Sequence, residues 1–189
     1  MSDPQNYEIF ETALGFAAVA WNGHGVTQLR LPAKSVGAAE HALLRRTPAA
    51  VRATPPAAIA GLIAAAQHYF AGDQTDFSEV AIDLGPQEPF FARVYERVRK
   101  LGWGETTTYG AIAKELGAGP EAARDVGQAR ATNPIPLIVP CHRVLAAGGK
   151  IGGFSAPGGS HSKATMLEIE GVRVQPPEKP KPKQASFAF

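Results

Sequence analysis

Cys141 is the single cysteine among 189 residues, so the chain can close no internal disulfide and can build no cysteine-based zinc cluster. It must be held together by apolar packing, and a 44% apolar composition supplies the side chains for a core. The length leaves room for one ordinary domain or two small ones. Any importance of Cys141 must then lie in its own thiol chemistry. The histidines at 24, 41, 68, 142 and 161 have no ligand spacing, so no metal is expected. The N-terminus carries no basic start followed by an apolar stretch, and no run approaches the ~20 residues of a membrane span. A soluble, intracellular chain is expected, with no membrane partner.

The net charge of +2 hides an asymmetry. Residues 1–90 hold 5 Lys/Arg against 9 Asp/Glu, and residues 91–150 hold 9 against 5. The basic segment surrounds Cys141, as expected where phosphate must be met, although solvated charged faces produce the same imbalance.

Turn residues separate short apolar runs at residues 7–12, 15–21 and 26–31, the pattern of β-hairpins, with Gly23-His24-Gly25 as one turn. Residues 38–46 and 57–70 are helical by composition, the second with Ile59, Leu62, Ile63, Ala66 and Phe70 at three- and four-residue steps. Residues 80–84 read as a further strand, and residues 85–89 have the composition of a linker. Helical spacing resumes over 90–100. A short helix over 108–116, a Gly117-Ala118-Gly119 turn and a helix over 120–131, with Pro120 at its start, give the outline of a helix-turn-helix. Many helix pairs of this outline only pack a core.

The sharpest stretch is Asn133-Pro134-Ile135-Pro136-Leu137-Ile138-Val139-Pro140-Cys141-His142-Arg143-Val144. A lone cysteine is usually inert packing. Here Pro136 and Pro140 stiffen the approach to it, and His142 and Arg143 follow at once, a basic setting that favours the nucleophilic thiolate.

These residues resemble the O6-alkylguanine-DNA alkyltransferases, also called methylated-DNA–protein-cysteine methyltransferases. The resemblance rests on residues 140–144, on Asn133-Pro134, on Ala122-Ala123-Arg124 and Val126-Gly127, on Thr108-Tyr109-Gly110, on Gly153-Phe154-Ser155, and on Lys163 through Glu170-Gly171. It is close over residues 90–171 and general over residues 1–85. It implies an α+β chain in which a ribonuclease-H-like αβ domain (1–85) precedes a mainly helical domain with a helix-turn-helix (86–174). A Pro/Lys-rich tail follows (175–189).

The resemblance implies that the partner is double-stranded DNA carrying O6-alkylguanine, in a cytoplasmic, nucleoid-associated monomer without cofactor. The alkyl group, from O6 of guanine or O4 of thymine, would pass irreversibly to Cys141. O6 is not open to in-line attack within a stacked pair, which independently calls for base flipping. Arg124 would be the finger inserted into the stack, the second helix lying in the minor groove, and Thr108, Ala123, Gly127 and Ser155 would be further DNA-binding residues. His142 would take the thiol proton through a water, Glu170 would hold His142 in the right tautomer, and Asn133 would brace the turn. Tyr109 would donate a proton toward the leaving guanine, Ser155 would contact O6, and the carbonyls of Val139 and Cys141 would read the exocyclic amine.

The chain departs from the usual pattern at Asp125, where a small residue is common, and at Tyr95, Gly102 and Phe154. The loop over 155–163 is about two residues longer than typical. An alkyltransferase-like binding protein would lack the cysteine. A helix-turn-helix regulator would leave Cys141, His142 and Glu170 unexplained, and a cysteine hydrolase would leave Arg124 without a purpose. In the tail, Gln184, Phe187 and Phe189 resemble the short peptide by which replication and repair proteins bind the sliding clamp.

Overall fold

The computed structural model describes residues 3–153 and 159–174. Three strands, β1 (Asn6–Thr12), β2 (Gly15–Trp21) and β3 (Val26–Ala33), form the expected antiparallel meander. After helix α1 (Val36–Leu44), a two-residue strand β4 (Val51–Arg52) returns parallel to β1, giving the order β3-β2-β1-β4. Ser35 starts α1, its hydroxyl accepting the Ala38 amide at 3.2 Å.

The period-2 alternation of the strands sorts two cores. On one face Tyr7, Ile9, Ala18 and Ala20 meet Ala39 and Leu43 of α1. On the other, Phe10, Ala17, Val19, Trp21, Leu29 and Leu31 meet α2 (Ala57–Ala71). Small alanines on both faces of β2 are fully buried, and those facing α1 let that helix pack closely on the strand. The second core is continuous from α2 through Val94, Tyr95 and Val98 of α3 (Pro89–Arg99) to Ile112, Val126, Ile135 and Cys141.

The remaining elements are β5 (Thr107–Thr108), α4 (Tyr109–Glu115), a 3-10 turn (Pro120–Ala122), α5 (Ala123–Ala131), a 3-10 turn at Cys141–Arg143, β6 (Val144–Leu145), a 3-10 turn at Ala147–Gly149 and α6 (Ser160–Ile169). The helix expected over 120–131 is therefore split, Pro120 opening a 3-10 turn that feeds α5. Thr108 caps α4 by accepting the Ala111 amide at 3.1 Å. Helix α6, strand β4 and the parallel pair β5-β6 carry no signal in the periodicity of the sequence. Pairing of Thr107 with Val144 and Thr108 with Leu145 sets the start of α4 beside the Cys141 turn.

The strand expected over 80–84 is a single bridge between Val26 and Ile82, with Val26 donating to the Ala81 carbonyl and Asp83 to the Val26 carbonyl, each at 2.9 Å. It extends no further because the Arg99 guanidinium takes the carbonyls of Ser78 and Val80, while Asp83 turns to accept from Asn22 and Gly85. The close approach at this bridge requires Gly25, whose φ is +153° and whose added Cβ would lie 2.6 Å from the Ala81 carbonyl. We predict that Gly25→Ala costs about 1–3 kcal/mol of stability, read as a lowered urea midpoint, whereas an unchanged midpoint would mean that residues 80–84 dock without this contact.

Candidate active site

Asn133 organises the approach to Cys141. Its Oδ1 accepts the Ile135 amide at 3.0 Å, and its Nδ2 donates to the Val139 carbonyl and to Cys141 Sγ, both at 3.0 Å. Pro140, with φ −77° and ψ 66°, sits in the inverse γ-turn minimum, and the Cys141 amide closes that turn on the Val139 carbonyl at 2.7 Å. The proline ring supplies the required φ, so the turn is preset. Upstream, Leu137 is buried at φ +79°, a left-handed conformation costly for a branched side chain. The Val139 carbonyl already accepts from two donors, so it is not free to read an exocyclic amine as the sequence suggested.

His142 is 1% exposed, and its Nε2 lies 2.6 Å from Glu170 Oε1. A carboxylate can only accept, so this bond assigns the proton to Nε2 and leaves Nδ1 as a lone pair. Nδ1 has no hydrogen-bond partner among the described residues. Burial lowers the pKa of His142 against the opposing effect of Glu170, so the ring is neutral at rest.

Glu170, just beyond α6, is a hub. Oε1 accepts from His142, from the Tyr69 hydroxyl at 2.7 Å and from Arg143 Nη2 at 3.0 Å. Oε2 accepts from Arg143 Nε at 2.8 Å and from the Gly104 amide at 3.1 Å. Burial alone would raise its pKa, but His142, Arg143 and Tyr69 together hold it at about 2. Tyr69 comes from α2 and brings the N-terminal sheet layer into the site. Nothing in its sequence context separated it from the core aromatics around it, since it sits on the same amphipathic helix as Phe70.

Burial pushes the Cys141 thiol up to about 11, against Asn133, Arg130 and Lys163. Arg143, whose sequence position suggested that it favours the thiolate, is instead turned onto Glu170 and the Leu101 carbonyl. The cations acting on Cys141 are Arg130, from the last turn of α5, and Lys163 of α6. Lys163 is fully buried, donates to the Val144 carbonyl, and is lowered to about 7 by burial and then by Arg130. Tyr109 is half-buried with a hydroxyl that has no partner among the described residues, and burial raises its pKa. The structure thus brings Cys141, Asn133, His142 and Glu170 into one connected site. Arg124 is exposed on α5, and Ala123 and Gly127 are half-buried there. Ser155 and the tail residues Gln184, Phe187 and Phe189 lie outside the described residues.

The Glu170 hub makes stability depend on acid in a defined direction. An unfolded carboxyl takes its proton near 4.5, whereas the folded one holds off to about 2. Its stabilisation is therefore complete above pH 4.5 and is lost as pH falls toward 2. Removing one donor by Tyr69→Phe should cost about 2 kcal/mol at neutral pH and move acid unfolding to higher pH. Urea titrations across this range check it, and a variant matching the parent at every pH would remove Tyr69 from the hub.

Residues 89–172 match the family described as the DNA binding domain of 6-O-methylguanine DNA methyltransferase. A methylated-DNA–protein-cysteine methyltransferase of Mycobacterium bovis is 37% identical over 172 residues, spanning 89% of this chain and 94% of its own. The crystal structure of Mycobacterium tuberculosis O6-methylguanine methyltransferase superposes with a TM-score of 0.69 at 36% identity, covering 88% of this chain and 92% of that one. The structure of M. tuberculosis OGT in complex with DNA gives a TM-score of 0.69 at 35% identity, with 87% and 92% covered. A relative matching nearly end to end, on the same mixed α+β architecture, decides the matter: the chain belongs to the methylated-DNA–protein-cysteine methyltransferase family.

Proposed function

We propose that this protein repairs DNA by taking an alkyl group from O6 of guanine, and from O4 of thymine, onto Cys141, once per molecule and without a cofactor. The observation that carries this reading is a buried thiol followed directly by a neutral histidine whose Nε2 is fixed by Glu170 and whose Nδ1 is unpaired. With a thiol pKa near 11, little thiolate exists at neutral pH, so a base must act as attack begins.

No hydrogen bond joins Cys141 Sγ to His142 among the described residues, and a bridging water is the route we assign to the proton. His142 Nδ1 accepts it, and Glu170 stabilises the imidazolium. The Sγ–carbon bond forms as the carbon–O6 bond breaks. The Tyr109 hydroxyl, kept protonated by burial, donates to the departing guanine ring, and His142 returns its proton to Tyr109 through solvent. The thioether offers no leaving group, so the protein is spent.

DNA reaches Cys141 only if the nucleotide leaves the stack. We assign α4 and α5 to a helix-turn-helix in the minor groove, Arg124 to the gap left by the flipped base, and Thr108, Ala123, Gly127 and Ser155 to DNA contacts. We assign residues 1–85 to a ribonuclease-H-like αβ unit, 86–174 to DNA binding and transfer, and Gln184, Phe187 and Phe189 to a clamp-binding end. No helix among the described residues is long and apolar enough to cross a membrane.

Cys141→Ala should abolish transfer while leaving DNA affinity intact, measured by binding to and repair of a duplex holding one O6-methylguanine. Residual transfer would place the acceptor elsewhere. Arg124→Ala should slow repair of duplex far more than reaction with free O6-benzylguanine, by on the order of 10-fold or greater, since only the duplex must be unstacked. Equal losses on both would assign Arg124 to the pocket and not to extrusion.

A further inference from the structure

A protein that repairs duplex DNA is held to it first by cations that meet its phosphates. The helices assigned to that contact are poor in them. Residues 107–132 hold Lys114, Arg124 and Arg130 against Glu115, Glu121 and Asp125. Glu115 is paired with Arg97, and the Arg130 guanidinium is turned inward, 5.2 Å over the Tyr109 ring. The surface left on α4 and α5 carries Lys114 and Arg124 against Glu121 and Asp125, hence no net charge. The phosphate contacts must come largely from elsewhere in the chain.

Residues 1–90 hold five Lys/Arg, and three of them gather at one point. Arg30 of β3 stands in register with Ala18, on the sheet face covered by α1, while Arg45 caps that helix and Arg46 follows it. Burial, then Arg46 and Arg45, lower the pKa of Arg30 to about 10. Arg52, Arg97 and Arg143 each have a carboxylate partner in Glu8, Glu115 and Glu170, whereas none of the three clustered arginines is in an ion pair among the described residues. Arg30 Nε is closed off from solvent with no hydrogen-bond partner among those residues, and Arg45 and Arg46 are exposed. The negative end of α1 favours a cation beside it, but three unpaired ones repel one another, and an anion from outside the chain relieves that repulsion.

The cluster stands at the end of α5. The Leu29 amide, next to Arg30, donates at 2.9 Å to the carbonyl of Pro134, two residues beyond the α5 cap Thr132. Burial raises the pKa of the Tyr95 hydroxyl, and Arg46 is among the groups that oppose it. That hydroxyl donates to the Ala129 carbonyl at 2.7 Å and lies 3.2 Å from the Thr132 hydroxyl. Arg124, Gln128 and Thr132 are exposed at four-residue steps, a stripe roughly 12 Å long that leads toward the cluster. A duplex along this stripe carries a charge every ~1.7 Å of its axis, so its phosphates continue past Thr132 to the arginines.

We propose that Arg45 and Arg46, backed by Arg30, form a second DNA contact on the N-terminal layer, binding backbone phosphates of the duplex beyond the end of α5. The inference rests on the reading of α5 as the DNA-binding helix. Such contacts carry no sequence information and add affinity and orientation.

The test is the salt dependence of affinity for a fluorescent duplex holding one O6-methylguanine, long enough to extend past α5 but too short to seat a second protein. The parent is compared with Arg45→Gln/Arg46→Gln and Arg45→Lys/Arg46→Lys proteins. In the Gln pair the slope of log affinity against log salt should fall in magnitude by about 1–2, with a loss on the order of tenfold at low salt, while the Lys pair keeps both near the parent values. An unchanged slope in the Gln pair overturns the proposal whether or not affinity falls, because no phosphate contact has then been lost. Equal losses in the Gln and Lys pairs overturn it too, since charge is then not what the surface uses. A loss seen only on a longer duplex that seats several proteins also overturns it and assigns the arginines to a neighbouring copy. Each of these results leaves the parent's binding and repair intact, whereas a parent without measurable affinity for the duplex takes the DNA-repair reading down as well.

Discussion

The buried carboxylate of Glu170 is the interaction on which the rest of the site depends. Four residues donate to it, Tyr69 from α2, His142 and Arg143 from just after Cys141, and Gly104 from the loop before β5. A carboxylate with so little solvent is stable only when its lone pairs are met, so each donor is tied to the position of the others. The consequence reaches the chemistry directly. Glu170 fixes the His142 tautomer, and the tautomer decides that Nδ1 is the basic nitrogen.

This hub also gives the N-terminal layer a chemical reason to be there. The sheet face that packs on α2 shares one apolar core with the helices around Cys141. Tyr69 carries that contact into the site as a hydrogen bond. Burial pushes the Cys141 thiol up to about 11, so it rests protonated at neutral pH, while the Asn133 amide donates to its sulfur.

Much of this was legible in the sequence where local chemistry decides local structure. The glycine turns gave the meander, Thr108 and Pro120 marked helix starts, and the run from Asn133 to Val144 marked the site. What was hidden depends on contacts distant in sequence. Tyr69 lies 101 residues from Glu170 and reads as one more core aromatic. Arg143 stands beside the nucleophile in sequence yet serves the carboxylate, because the 3-10 turn at Cys141–Arg143 directs its guanidinium away from the sulfur. The actual cations near the thiol, Arg130 and Lys163, sit on two separate helices. Residues 80–84 have strand composition, but Arg99 takes the Val80 carbonyl and that of Ser78 before it, a competition that no local pattern reveals.

The proposed repair requires Cys141 to be the sole and final resting place of the transferred group. Incubation with an excess of duplex containing O6-methylguanine, followed by intact-protein and peptide mass measurement, tests this most directly. The protein should gain the mass of one methyl group per molecule, all of it on the peptide holding Cys141, and repair should stop when the protein is consumed. Methyl groups removed in excess of protein, or a methylated peptide without Cys141, would contradict it.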